Sequence, residues 1–285
     1  MKDSRAYLSI CAIYRNEARY LPEWIEFHRL FGVERFFLYN NRSTDDHMEV
    51  LAPYIDEGIV VWHDFPMFPG QREAYEQCLG EHRHDARWIA YIDVDEFLFS
   101  PTGRLLSDVL SDFEAYPGAV VNMMHYGTSG HETPPPGLAV ESYTRRLEFD
   151  RPRNRTVKSI VDPERTLRIG LVAHYFIYAD GERAVDENFE PSHGHETDGV
   201  SVDLLRINHY FTRSQQERRE KLTRPGILHG KLVPNPEQAE ERDRRLNAEE
   251  DPILVPYGRA VRAALAAREA GNPLPAGALE AALAS

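Results

Sequence analysis

The first hundred residues alternate unbroken apolar runs with segments whose apolar positions recur every three to four residues. Residues 7–14 (YLSICAIY) form a continuous apolar run that predicts a buried strand. Leu21, Trp24, Ile25, His28 and Leu30 then fall near one face of a helix, with Pro22 in its first turn and Gly32 at its end. Residues 35–39 read as a second strand. Ser43-Thr44-Asp45-Asp46 offers an N-cap to a second helix that Gly58 stops, and residues 59–62 form a third strand. A helix over about 71–81 precedes a fourth strand at 88–92. This β-α-β-α-β-α-β order predicts an α/β domain whose parallel sheet carries helices on both faces. Ligands of such sheets bind beyond the carboxyl ends of the strands.

The second half is less regular. Residues 104–116 look helical, 119–124 look like a buried strand, and 127–137 form a loop rich in Gly and Pro. Short strand signals appear at 157–161, 171–178 and 204–211, and a charged helix over 214–222. From about Pro236 the chain is charged and then Ala-rich, which predicts helices packed outside the sheet. The expected division is a main domain over 1–235 with a C-terminal helical extension over 236–285.

Composition narrows the function. A formal net charge of −13 argues against non-specific binding to nucleic acid or anionic lipid. A phosphate-bearing ligand stays open, because a metal ion reverses the field inside one cleft. The two cysteines, Cys11 and Cys78, make no disulfide framework, and the cytoplasm is the expected compartment. No apolar stretch reaches membrane-spanning length and the N-terminus lacks a signal-peptide pattern, so no helical anchor is expected and peripheral contact stays open. A Gly-rich phosphate loop, a His-Glu-x-x-His helix, a Gly-x-Ser-x-Gly elbow and a Cys-x-x-Cys pair are all missing.

Asp93-Val94-Asp95-Glu96, directly after an apolar run, is the most informative segment. Alternation along a strand puts Asp93 and Asp95 on one side, where two carboxylates repel unless a cation or proton is shared. A hard divalent ion resolves that conflict and leaves positions open to phosphate oxygens. The competing reading is an acidic loop that caps the next helix. His174 and His209, each in a His-Tyr-Phe triplet, are the candidate nitrogen ligands, and an imidazole beside two carboxylates suits manganese better than magnesium. The metal set is therefore Asp93 and Asp95 with His174 or His209; Asp93 either coordinates or holds the ribose and a water. His82-Arg83-His84 and His193-Gly194-His195 lie in hydrophilic segments and read as solvated surface. Lys221, Arg213 and Arg224 are cations suited to a diphosphate leaving group.

Taken in order, several blocks resemble glycosyltransferase family 92 and the neighbouring family 2-like enzymes of the GT-A fold. They are Tyr14-Arg15-Asn16-Glu17, Tyr20-Leu21-Pro22-Glu23-Trp24, His28, Gly32-Val33 and Tyr39-Asn40-Asn41-Arg42-Ser43-Thr44-Asp45. Gln71, Cys78, Trp88, Asp93-Val94-Asp95-Glu96-Phe97 and Gly127-Thr128-Ser129-Gly130-His131 follow. The last are Lys158-Ser159-Ile160-Val161, His174, Ile207-Asn208-His209-Tyr210, Ser214 and Lys221, so the resemblance covers about 10–225. It implies a GT-A-like (Rossmann-like) nucleotide-diphospho-sugar transferase fold, a mostly parallel sheet flanked by helices. It also implies inverting, metal-dependent transfer from a nucleotide-sugar donor, with Mn2+ or Mg2+ as cofactor. A UDP-sugar leads, with galactose as its sugar, and the acceptor is a carbohydrate or lipid-linked glycan. On the donor side, Tyr14, Asn16 and Glu17 fall where relatives line the nucleoside pocket, and Asn40, Asn41 and Ser43 match the loop that contacts the base. Many family 2 enzymes have Asp where Asn41 stands. Gln71, Arg72, Asp93 and Lys221 complete the donor-binding set. Eukaryotic members usually carry a membrane anchor whose pattern this sequence lacks.

Inversion requires a base, and Glu132, with His131 as its substitute, is the candidate because loop 127–137 follows a buried strand. Two other readings share the sheet: a non-catalytic nucleotide-sugar or glycan-binding module, and a nucleotidyltransferase. The latter needs a Gly-rich basic first loop, whereas Tyr14-Arg15-Asn16-Glu17 has one basic residue.

Overall fold

Ala6–Tyr14 (β1) is an interior strand of the sheet, and its near-continuous apolar sequence reflects cover on both faces. The computed structural model describes residues 5–223 and 236–283. After β1 the chain forms Leu21–Leu30 (α1), Arg35–Asn40 (β2), His47–Asp56 (α2), Val60–Asp64 (β3), Gln71–Glu81 (α3) and Ala86–Tyr91 (β4). Gly32, at φ 93°, turns the chain out of α1 in a left-handed conformation that a Cβ disfavours. The strands β3, β2, β1 and β4 lie side by side in that order, all parallel. The winding reverses between β1 and β4, so the loops that leave their carboxyl ends diverge and open a crevice.

The acidic segment does not sit inside a strand. β4 stops at Tyr91, Glu96 N donates to Asp93 O at 3.0 Å across a turn, and Glu96–Phe99 (β5) then begins a strand the apolar pattern does not reveal. The turn, rather than strand alternation, sets the direction of Asp93 and Asp95, and no helix follows for it to cap. The segment read as one helix over 104–116 is Leu106–Leu110 (α4) and a short 3-10 turn, Ser111–Phe113.

The chain continues through Gly118–His125 (β6), Ala139–Ser142 (α5), Arg145–Arg146 (β7), Val157–Val161 (β8), Thr166–Ile169 (β9) and Phe176–Tyr178 (β10). Arg206–His209 (β11), Gln215–Thr223 (α6), Pro236–Leu246 (α7), Glu249–Glu250 (β12), Gly258–Glu269 (α8) and Ala278–Leu283 (α9) complete it. The eight-stranded sheet extends from β4 through β8, β6 and β11 to β5. β8 runs antiparallel to both neighbours and β5 antiparallel to β11, while β6 and β11 are parallel. These reversals explain the irregular pattern of the second half; four of the seven pairings are parallel, so the sheet is the mostly parallel α/β sheet expected from the sequence. The strand signal at 171–178 resolves into the end of a hairpin, β9–β10, where Gly170 lies flat against the Tyr175 ring with no room for a Cβ.

Alternation along β1 feeds two cores. Leu8, Ile10, Ala12 and Tyr14 join α1, α2, α4 and α8 on one face, and Cys11 joins α3 and the β9–β10 hairpin on the other. α8 packs on α1 outside the sheet, with Arg268 Nε donating to Glu26 Oε1 at 2.8 Å. Among the described residues no helix is long and apolar enough to cross a membrane.

Candidate active site

Strand register builds the floor of the site. His209 on β11 lies opposite Glu96 on β5 and opposite His125 on β6, which lines up three titratable side chains across neighbouring strands. His209 Nε2 is 3.5 Å from Asp95 Oδ1, and His209 Nδ1 is 3.7 Å from Glu96 Oε1. Tyr210 N donates to Asp95 O at 2.8 Å and ties β11 to the acidic turn. Lys221, reaching back from α6, pairs with Asp95 Oδ2, and its Nζ lies 4.2 Å from the centroid of Phe211.

Asp93 is held from three sides. Gln71 Nε2 donates to Oδ1 at 2.6 Å, Tyr75 OH to the same oxygen at 3.2 Å, and Lys158 Nζ to Oδ2 at 2.9 Å. Lys158 also lies 3.4 Å from Glu96 Oε2. Electrostatics follow from this arrangement. Burial raises the Asp95 carboxyl, but Lys221 and then His209 outweigh it and hold the group well below the usual carboxylate range. Burial likewise raises Asp93, and Lys158 reverses the direction. Glu96 behaves differently: burial outweighs Lys158 and pushes it up to about 7. His174 is pushed down to about 4 by burial and then by Lys158, and burial with His209 and Arg153 holds His125 far below its ordinary value.

A cleft of about 720 Å³ opens above these groups at the carboxyl ends of β1 and β4. It brings together Tyr14, Glu17, Asn41, Gln71, Asp93, Asp95, His174, His209 and Lys221 from the expected set. Asn41 Nδ2 donates to Phe65 O at 2.9 Å and Met67 O at 2.6 Å, so it also shapes the loop that borders the cleft. Glu17 pairs with Arg213 at 2.5 Å, and Arg213 lies over the Tyr20 ring at 3.6 Å.

Other expected residues lie outside this cleft. Asn16 accepts from Thr44 N at 2.7 Å, Ser43 Oγ accepts from Asn16 N at 2.9 Å, and Asn40 Oδ1 accepts from Ser43 N at 2.9 Å. Their polar atoms bind the loops after β1 and β2 to each other, with Asn16 beside a smaller cavity of about 410 Å³. Asp45 Oδ2 joins the same network by accepting from Ala18 N at 2.8 Å, so neither it nor Ser43 caps α2. Arg72 is exposed and does not line the cleft, although it adjoins Gln71. Arg224 lies outside the described residues.

Loop 127–137 does not carry a base into the cleft. The carbonyls of His131 and Glu132 accept from Gln215 N and Gln216 N at 2.9 and 3.0 Å and so cap the start of α6. This leaves Glu132 exposed, while His131 Nε2 meets Ser142 O at 3.0 Å. Conversely, Lys158, Glu96, His125, Arg15 and Arg153 stand at the cleft, although none of them is among the expected metal, donor or base residues. Lys158 had a signal: it is the single charge in the apolar run VKSIV.

Asp95, Glu96 and His209 offer one ligand atom each, all within 4.8 Å of one another, and His174 is not part of that group. His174 Nδ1 instead meets Val157 O at 2.9 Å. Three carboxylates here face the two ammonium groups of Lys158 and Lys221. Glu96 Oε1 and His209 Nδ1, which face each other, are buried without a hydrogen bond.

Comparison with known proteins identifies the family of the chain. The profile of glycosyltransferase family 92 matches residues 5–229. A family 92 protein of Ricinus communis is 32% identical over 224 residues, 76% of this chain and 37% of that one. A beta-1,4-galactosyltransferase of Caenorhabditis elegans is 26% identical over 222 residues, 71% of this chain and 48% of that one. Among solved structures, S. aureus TarS 1–349 in complex with UDP-GlcNAc aligns at a TM-score of 0.42 and 12% identity, covering 95% of this chain and 74% of that one. The chain thus spans less than half the length of these two curated relatives. With a profile match that runs from β1 past α6, the chain belongs to glycosyltransferase family 92.

Proposed function

We propose that the cleft transfers a sugar, with galactose as the leading choice, from a UDP-sugar to a hydroxyl of a carbohydrate or lipid-linked glycan, with inversion: the hydroxyl oxygen bonds to the anomeric carbon as the bond to the UDP oxygen breaks, and the hydroxyl proton passes to a general base. The observation that carries this reading is the pair of unpartnered buried atoms, Glu96 Oε1 and His209 Nδ1, beside Asp95 at the switch-point crevice. Buried polar atoms ordinarily have partners. Two carboxylates and an imidazole form a donor set that suits manganese, so Asp95, Glu96 and His209 would hold the ion. Glu96 takes the place that the acidic motif alone suggests for Asp93, whose oxygens are already engaged. When bound, the ion neutralises charge on the departing nucleoside diphosphate.

The remaining work falls to the chain's own residues. Asp93, locked by Gln71, Tyr75 and Lys158, offers a fixed carboxylate edge that suits a ribose hydroxyl. Lys221, Arg15 and Arg153 line the cleft and supply positive charge for the two phosphates. Tyr14 and Asn41 are the nucleoside-side walls. Glu132 is not carried into this scheme, because it lies outside the cleft. The galactose reading draws support from the name of the Caenorhabditis relative.

A thermal-shift panel of nucleotide sugars with and without manganese tests the reading. A ligand at 100 times its Kd stabilises by about 2.7 kcal/mol. A UDP-sugar that raises Tm only with manganese supports the proposal, and a panel in which no nucleotide sugar raises it overturns the proposal.

A further inference from the structure

A second cluster of ligand-type side chains lies at the opposite end of α3 from Gln71. His63 on β3 pairs in register with Tyr39, and its ring stacks on the Tyr39 ring at 4.5 Å and 7°. His82, the residue that ends α3, lies flat on Phe37 at 3.9 Å and 10°. Phe37 and Tyr39 are two apart on β2, so they project from the same face and hold the two imidazoles as neighbours. This buries His82, which the hydrophilic sequence around it places at the surface.

The two Nε2 atoms are 3.1 Å apart. His82 Nδ1 meets Asp85 Oδ2 at 2.7 Å, and the tautomer that donates to this carboxylate leaves the Nε2 lone pair on the side of His63. A carboxylate that holds the far nitrogen of a histidine is the usual support of a metal ligand. Glu81, at the mouth of the cluster, has an oxygen 3.9 Å from His63 Nδ1. One donor atom from each of the three residues lies within 4.8 Å of the others. Two nitrogens bound at about 2.0–2.1 Å to one tetrahedral ion sit roughly 3.3 Å apart, close to the spacing observed.

We propose that His63, His82 and Glu81 form a second metal site, for a zinc-like divalent cation, with Asp85 orienting His82 and a fourth position left to water. Two imidazoles and one carboxylate are a zinc donor set, whereas the cleft offers two carboxylates and one imidazole. The ion would fasten the end of α3 to β3. Because Gln71 at the start of the same helix holds Asp93, this fastening also steadies the cleft.

The test uses the full chain carrying Asp95→Asn, which disables the cleft set, stripped with chelator and titrated with cobalt chloride. The expected result is one equivalent of cobalt with the intense visible absorption of four-coordinate geometry, displaced by zinc. His63→Gln and His82→Gln should each abolish that band. Asp85→Asn, a change to a half-buried carboxylate that leaves the core intact, should weaken binding by about 10–100-fold. A weak six-coordinate spectrum in the starting protein, or a band that survives both histidine variants, overturns the proposal.

Discussion

Lys158 Nζ lies 2.9 Å from Asp93 Oδ2 while its side chain is 1% exposed, so the acidic turn is neutralised from beneath by a lysine inside a strand. Burial alone would lower the ammonium's pKa, but Asp93 and then Glu96 outweigh it and hold it above the ordinary lysine value. The charge is therefore a permanent part of the site. It sits where a solvent-derived cation has no access.

Lys158→Met should for that reason be far more damaging than its conservative volume suggests. Removal of one partner leaves the fully buried Glu96, and the partly exposed Asp93 beside it, without their cation; for a buried charge that change typically costs about 3–5 kcal/mol. Urea unfolding of the variant checks it. A loss below about 1 kcal/mol, the usual scale of an exposed pair, would show that the lysine is dispensable.

Acid sensitivity should have a distinct contribution from His28. Its Nδ1 meets Trp24 O at 2.8 Å and its Nε2 accepts from Leu98 N at 3.0 Å, so the buried ring fits only when neutral. Burial pushes its pKa from 6.5 down to about 3. The unfolded chain then binds a proton that the folded chain refuses. Stability from this group is full above pH 6.5 and falls as pH drops toward about 3, by about 3 kcal/mol at pH 4. His28→Gln should start less stable at pH 7 and decline less steeply between pH 6.5 and 4 in urea titrations. Parallel curves for the two proteins would remove His28 from the account.

Much of the first half of the fold is legible in the sequence because each element carries its own signal. β1, β2 and β4 are buried on both faces and read as apolar runs, and α1 closes at Gly32. β5 is illegible for a physical reason: its four residues are a strand only because β11, more than a hundred residues later, pairs with them. The same non-local pairing sets His209, and not His174, beside Asp95 and Glu96. Asp93 and Asp95 stand out as charges beside an apolar run. The support of Asp93 does not, since Lys158 comes from β8. His82 looks solvated until Phe37 and Tyr39, on another strand, are seen to cover the cluster.

Loop 127–137 offers a sharp contrast with the cleft. Its Glu132 is exposed, and its carbonyl accepts from Gln216 N at the start of α6. Glu132→Gln should therefore leave kcat for sugar transfer unchanged within error, with Asp95→Asn measured in parallel as the inactive reference. A collapse of kcat in the Glu132 variant, with KM and Tm preserved, would return that carboxylate to the role of base.

Calorimetry of UDP binding tests most directly whether Asp95 would hold a divalent ion for a nucleoside diphosphate. The parent protein should bind UDP with manganese and lose that binding in excess chelator. Asp95→Asn should keep the fold, since the side chain's size is unchanged, yet lose manganese-dependent binding and about 10²–10³ in turnover. UDP affinity that is equal with manganese and with chelator, or equal in parent and Asp95→Asn, would contradict the account.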